Sequence, residues 1–200
     1  MTTPAQGNVV PPGAWWAADN GVFGKGYPGD EAWLRWLASR RADADRCLFV
    51  TAPDVVGDAW RTLARSLPFL PLIRNLGYPA AFVAQNGTED TGLPWDEFDV
   101  LFLGGDDAYK LGEHVAELVN LARSHGKGVH AGRVNSRKRF AYFRDLGCDS
   151  ADGTFLAFGP DVNLDECLSW SRPPAVGHNW RAHRNRLPCG DCPGRYEEAS

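Results

Sequence analysis

The stretch CLFVTAPD, residues 47–54, runs apolar without alternation and closes on Pro53 and Asp54. A strand with one wet face alternates apolar and polar residues. A run with no alternation belongs to a strand covered on both faces, as in a parallel sheet. The pattern recurs along the chain. AWWAADNGVF (14–23) turns polar at Asp19, AAFVAQNG (80–87) at Gln85, and DVLFLGG (99–105) at Gly104 and Gly105. GVHAGRVN (128–135) turns polar at Arg133 and Asn135, and CDSADG (148–153) opens a sixth unit with Asp149 and Asp152. Helical patterns lie between these runs. EAWLRWLASRR (31–41) is capped by Asp30 and sets Trp33, Leu34 and Leu37 on one side. GDAWRTLARSLPFLPLIRNLG (57–77) is interrupted by Pro68 and Pro71 and stopped at Gly77. AYKLGEHVAELVNLARSHG (108–126) aligns Leu111, Val115, Leu118 and Leu121, and SRKRFAYFRDLG (136–147) ends at a glycine.

Strand, turn and helix in repeated succession predict an α/β protein of parallel strands joined by crossover helices. An open doubly wound sheet and a (β/α)8 barrel both fit. An open sheet gathers its polar residues at one switch point, whereas a barrel gathers them from every strand end onto one rim. Here every strand end contributes. The expectation is therefore a compact or trimmed (β/α)8 TIM-type barrel over residues 14–171. A flexible lead-in (1–13) would precede it, and a short basic C-terminal extension (172–200) would follow. Six strands are clear; NVVPP (8–12) and TFLAFGP (154–160) are the weak candidates for two more.

The 200 residues suffice for one domain with a real core. No apolar run is long enough to span a bilayer, and the N-terminus has neither the basic nor the apolar region of a signal peptide. Five cysteines without an export signal predict reduced thiols and a cytoplasmic setting. Eight tryptophans must be packed or used for stacking. The net charge of −4 is unevenly spread. GRVNSRKRFAYFR (132–144) carries Arg133, Arg137, Lys138, Arg139 and Arg144 with no acid, and residues 171–195 add five arginines around Arg184. Such clusters neutralise phosphates, or else lie solvated on a helix face. No GxGxxG or GxxxxGK[ST] fingerprint is present, so no redox or nucleotide cofactor is expected; no HxH or HExxH spacing points to a metal hydrolase.

Asp19, Asp54 and Asp152 stand at strand ends and can face one pocket. A carboxylate pair is the equipment for substitution at a glycosidic carbon: one attacks, the other moves the proton of the leaving group. A third carboxylate accepts hydrogen bonds from a donor-rich edge such as that of guanine. Gln85 supplies a donor and an acceptor. Gly104 and Gly105 let the backbone approach a flat ring. Taken singly, each strand-end aspartate also reads as a helix cap.

The order ADNGVF, TAPD, VAQNG, FLGG, GCDSADG resembles the tRNA-guanine transglycosylase superfamily. It is most similar to the phage and bacterial branch that installs 7-deazaguanines in DNA. The resemblance covers about residues 14 to 160. It implies a barrel, with Asp152 of GCDSADG as the nucleophile and Asp149 as its supporting, substrate-binding neighbour. It gives Asp19 the proton shuttle, and base recognition to Asp54, Gln85, Gly104 and Gly105. It further implies a guanine-containing DNA partner, a free 7-deazaguanine base such as preQ0, and a bacterial or phage-infected host cell. Phosphates would be held around Arg133, Arg137, Lys138, Arg139 and Arg184, and Ser150 and Ala151 would leave space for a flipped sugar. The alternatives are a non-catalytic nucleic-acid-binding subunit, and a tRNA- or nucleoside-level transferase or hydrolase. The superfamily's C-x-C-x2-C zinc site is not matched: Cys189 and Cys192, with His178 and His183 upstream, either form a four-ligand structural Zn2+ knot or are a tail with idle thiols. A trimmed barrel with exposed apolar helix faces is also expected to dimerise.

Overall fold

The computed structural model describes residues 1–7, 9–24 and 26–171. Among these residues six strands form a single parallel sheet: β1 (Trp16–Ala18), β2 (Cys47–Thr51), β3 (Ala80–Ala84), β4 (Val100–Leu103), β5 (Gly128–Ala131) and β6 (Ser150–Ala151). Their spatial order is their chain order. Successive crossovers with no reversal place the connecting helices on one side of the sheet, and the sheet curls. The curl is visible in the interior: the Phe49 ring of β2 lies 4.8 Å from the His130 ring of β5, across two intervening strands. The protein is thus an α/β half-barrel, the partial form of a TIM-type barrel. Among the described residues neither weak candidate is a strand. Residues 9–12 have no strand structure, and Leu156–Phe158 forms a 3-10 turn.

The helices are α1 (Asp30–Ser39), α2 (Ala59–Ser66), α3 (Phe69–Asn75), α4 (Thr88–Thr91), α5 (Asp107–Lys110), α6 (Glu113–Ser124), α7 (Arg137–Asp145) and α8 (Pro160–Ser171). Three begin on side-chain caps: Asp58 accepts from the Arg61 N–H, Asp106 from Tyr109 and Ser136 from Arg139. Asp30 does not cap α1. Gly29 holds that position, and Asp30, first in the helix, accepts from the Tyr27 hydroxyl and pairs with Arg65. Only Pro68 breaks the 57–77 pattern. Pro71 sits in the first turn of α3, where a missing N–H costs no helical bond.

The expected long helix over 108–126 is two, because Gly112 leaves helical geometry and serves as the N-cap of α6. A side chain there would collide with the His114 ring. The break rotates the buried face to Val115, Leu118, Val119 and Ala122, and Leu111 and Leu121 are left exposed. Between sheet and helices lies the main core, with Trp33, Leu37, Leu70, Ile73, Phe82, Phe98, Leu101 and Val119 at its heart. Trp33 stacks on Trp36, and Trp16 meets Trp36 and Tyr78 edge-on. The tryptophans are not all committed: Trp15 and Trp60 are mostly exposed. Nor are residues 1–13 wholly a free lead-in. Thr2 lies along the open edge of β1, donating to Ala17 O and accepting from Asp19 N.

Candidate active site

In a parallel sheet the carboxyl ends of all strands share one rim, so the residue after each strand faces the same space. That space is a cavity of about 90 Å³ lined by Asp19, Asn20, Asp54, Gln85, Gly104, Gly105, Lys110, Arg133 and Asp152, among others. Every expected pocket residue except Asp149 is here.

Asp54 is the most enclosed of the three carboxylates. Its Oδ1 accepts from Asn20 Nδ2 at 2.9 Å and its Oδ2 from Gln85 Nε2 at 2.7 Å. The Gln85 carbonyl oxygen in turn accepts from the Gly57 and Gly105 N–H groups at 2.9 and 3.0 Å, which fixes the amide's orientation. Asn20 is held just as firmly, donating also to Ala52 O and accepting from Val22 N. Gly104 must lack a side chain: a Cβ would lie 2.8 Å from Ala84 O and from Val83 Cγ1. Gly105 adopts φ +74°, the left-handed region that glycine tolerates.

Burial pushes the Asp54 carboxyl above its ordinary range, despite the bonds from Asn20 and Gln85. An acid raised in the folded state holds its proton to higher pH than the unfolded chain does. Its contribution therefore favours folding at low pH and falls away as pH rises from the ordinary carboxylate value through the raised one. In urea melts across that window, Asp54→Asn is expected to flatten the decline in stability; an unchanged slope would show that Asp54 is not raised.

Asp19 is half-buried, and its Oδ1 accepts from Gly21 N at 3.0 Å. Burial raises its carboxyl first, and the nearby Asp54 and Asp152 charges add to this. Asp152 differs. Burial alone would raise it, but the His130 ring and the Arg133 N–H outweigh that and hold it below its ordinary value. His130 Nε2 is 3.2 Å and Arg133 N 3.0 Å from Asp152, both on Oδ1. The Arg133 backbone turns to φ +60° to make this bond, and its guanidinium lies 4.3 Å over the Phe23 ring. Lys110 is buried, donates to Gly132 O at 2.8 Å, and is depressed by that burial.

The loop after β6 is locked to the loop after β5. Val134 N donates to Asp152 O, and Asn135 Oδ1 accepts from Thr154 N at 2.6 Å. Gly153 threads between them, where a Cβ would strike Val134 O and Asn135 Oδ1. Gly153→Ala is therefore expected to cost about 2 kcal/mol in stability, typical of overpacking, read as a lowered Tm. An unshifted Tm would mean that the two loops are not locked.

Asp149 is a correction. Strand residues three apart face opposite sides. Asp149 lies at the other end of β6, where its Oδ2 accepts from Val129 N at 2.8 Å and its Oδ1 lies 3.5 Å from Arg123. It ties β5 to β6 and α6 and does not reach the cavity. Ser150 is not spare space for a sugar either, since its hydroxyl meets His130 Nδ1 at 2.8 Å. Of the basic cluster, Arg139 forms a two-pronged pair with Asp107, and Arg137 and Lys138 are exposed at the start of α7. His178, His183, Arg184, Cys189 and Cys192 lie outside the described residues. Asn20, Lys110 and His130 were not singled out from sequence; a polar residue inside the apolar GVHA run was the available signal for His130.

Fold and site together define an α/β half-barrel whose cavity at the carboxyl ends of the strands is built on three carboxylates. No family model matches the chain, and no curated protein does. Among solved structures it is similar to the PaMucR phosphodiesterase in complex with c-di-GMP, at 17% identity and a TM-score of 0.44, covering 70% of this chain and 59% of that one. It is also similar to a protein of Silicibacter pomeroyi DSS-3 provisionally assigned as a glycerophosphoryl diester phosphodiesterase, at 15% identity and a TM-score of 0.40, covering 77% of this chain and 50% of that one. The chain thus spans only half to three-fifths of the length of these two neighbours. Among the described residues, no helix is long and apolar enough to cross a membrane, and no group of three or more His, Cys, Asp or Glu side chains is arranged to hold a metal ion.

Proposed function

We propose that the protein is an enzyme, a guanine transglycosylase that exchanges guanine in DNA for a 7-deazaguanine base. The observation that carries this reading is the convergence of Asp19, Asp54 and Asp152, from the ends of β1, β2 and β6, on one cavity. Environment pushes two of them apart, the pattern that separates acid from nucleophile. Asp152, held ionised, attacks C1′ of the deoxyribose through Oδ2. The C1′–N9 bond breaks, and Asp19, raised and so richer in its protonated form, gives the leaving guanine its proton. The incoming base returns that proton to Asp19 as its nitrogen attacks C1′ and releases Asp152, so configuration is retained. Asp54, steered by Asn20 and Gln85, accepts from the donor edge of the base, and the Gly104–Gly105 backbone lies against its ring. Reaching C1′ requires an unstacked nucleotide. Exposed Arg133, Arg137 and Lys138 supply positive charge beside the rim.

The test is incubation with guanine-containing DNA, single- and double-stranded, and labelled preQ0 or guanine. Label is expected in DNA. Absence of label from both forms, with DNA still bound, overturns this reading in favour of a non-catalytic binding subunit; release of base from free nucleosides alone overturns it in favour of a nucleoside enzyme.

A further inference from the structure

His130 lies mid-strand in β5 and is 3% exposed, yet no part of the reaction above assigns it a role. Its ring is held on four sides. The Phe49 ring of β2 and the Phe102 ring of β4 lie 4.8 and 4.7 Å away. Ser150 Oγ is 2.8 Å from Nδ1, and Asp152 Oδ1 is 3.2 Å from Nε2. Ser150 and Asp152 are two apart near the end of the chain's sixth strand and so share its inner face. The imidazole is threaded between them as a link. A buried imidazole among phenyl rings costs free energy that an apolar side chain would not, unless both nitrogens are satisfied. Here both are, and one of the two partners is the candidate nucleophile.

Of the elements packed on the ring, β2 and β4 present Phe49 and Phe102, and β6 presents Ser150 and then Asp152. Asp19, Lys110 and Arg133 line the cavity beyond Asp152 and act on that carboxylate's side. The N-terminal amine of Met1, which shares a pocket with His130 and Asp152, also favours the ionised Asp152 carboxylate.

We propose that His130 is the positioning residue of Asp152: steadied by Ser150, it donates from Nε2 to Oδ1 and leaves Oδ2 turned to the substrate. The inference rests on the reading of Asp152 as nucleophile and adds to it. Donation to Oδ1 favours the ionised carboxylate before attack. It also stabilises the charge that returns to Asp152 when the C1′–Oδ2 bond breaks in the second half of the exchange. The hydroxyl of Ser150 both donates and accepts, so it serves either protonation state of the ring.

The experiment titrates the Asp152 carboxyl by carbon-detected NMR on 13C-aspartate-labelled protein, its signal assigned by its absence in Asp152→Asn. Wild type, His130→Phe, His130→Gln and Ser150→Ala are compared. In His130→Phe the Asp152 midpoint is expected to move to higher pH, and the acid limb of the kcat profile to move with it. At neutral pH, kcat is expected to fall about tenfold or more, the usual size for losing a hydrogen bond to a charged group. His130→Gln, which keeps a neutral N–H donor, is expected to recover part of both. An unmoved midpoint in folded His130→Phe overturns the proposal, as does wild-type kcat across the whole acid limb. Should His130→Phe not fold, Ser150→Ala decides: a midpoint moved in the same direction supports the link, and an unmoved one overturns it. The titration does not depend on turnover. A moved midpoint in protein that labels no DNA would sink the transglycosylase reading while the positioning role stands.

Discussion

Asp152→Asn is expected to abolish incorporation of labelled base into DNA, a fall of about 10⁴-fold or more, as for loss of a covalent nucleophile. The carboxamide is nearly isosteric and keeps an oxygen to accept the Arg133 N–H at Oδ1, so the loops after β5 and β6 stay joined. DNA binding is expected to survive, because the exposed arginines and the Asp54–Gln85 base platform are untouched. Rates measured beside binding and a melting curve separate chemistry from folding. Loss of binding and fold together would mean that Asp152 is structural. The substitution also has a signature on stability. A carboxyl depressed in the folded state contributes stability above its ordinary value that is lost as pH falls through the lower one. A carboxamide does not titrate and makes no such contribution, so the variant is expected to lose less stability on acidification than wild type.

Asp19→Asn carries the second large effect, a loss of about 10² to 10⁴ in kcat, the range for removing a general acid–base group. Asp19 is raised by burial and by its acidic neighbours, so its protonated form persists to higher pH than an ordinary aspartic acid's. The alkaline limb of the wild-type profile is assigned to its ionisation and is expected to be absent in the variant. A leaving group that needs no proton bypasses the defect. In single-turnover release of the base, the half of the exchange that precedes return of the proton by the incoming base, DNA carrying N7-methylguanine, which departs as a neutral base, is expected to be cleaved by Asp19→Asn at a rate at least about tenfold closer to wild type than ordinary guanine is. An equal deficit on both substrates would remove Asp19 from proton transfer and leave it a structural partner of Gly21.

The rim was legible in the sequence because one physical constraint writes it. A strand buried on both faces is apolar until it ends, so Asp19, Asp54, Gln85, Gly104 and Asp152 announce both their strand ends and their common side. Asp149 misled because β6 is only two residues long, and GCDSADG does not show where pairing starts. Pairing with β5 puts Asp149 against Val129 and Asp152 beyond Ala131, at opposite ends of the strand. Lys110 was hidden in a helical pattern whose break at Gly112 turns α5 toward the cavity. His130 is packed as core, inside an otherwise apolar run; its chemistry comes from a partner 22 residues further on. The half-barrel itself follows from chain order and parallel pairing, and the two extra strands sought in residues 8–12 and 154–160 are absent among the described residues.

The most direct measurement is intact-protein mass spectrometry after denaturing the enzyme during turnover on a guanine-containing oligonucleotide. A covalent protein–DNA adduct, less one guanine and mapped by proteolysis to Asp152, is the predicted result, with no adduct in Asp152→Asn. Steady incorporation of labelled base with no adduct, or an adduct on another residue, would contradict the account.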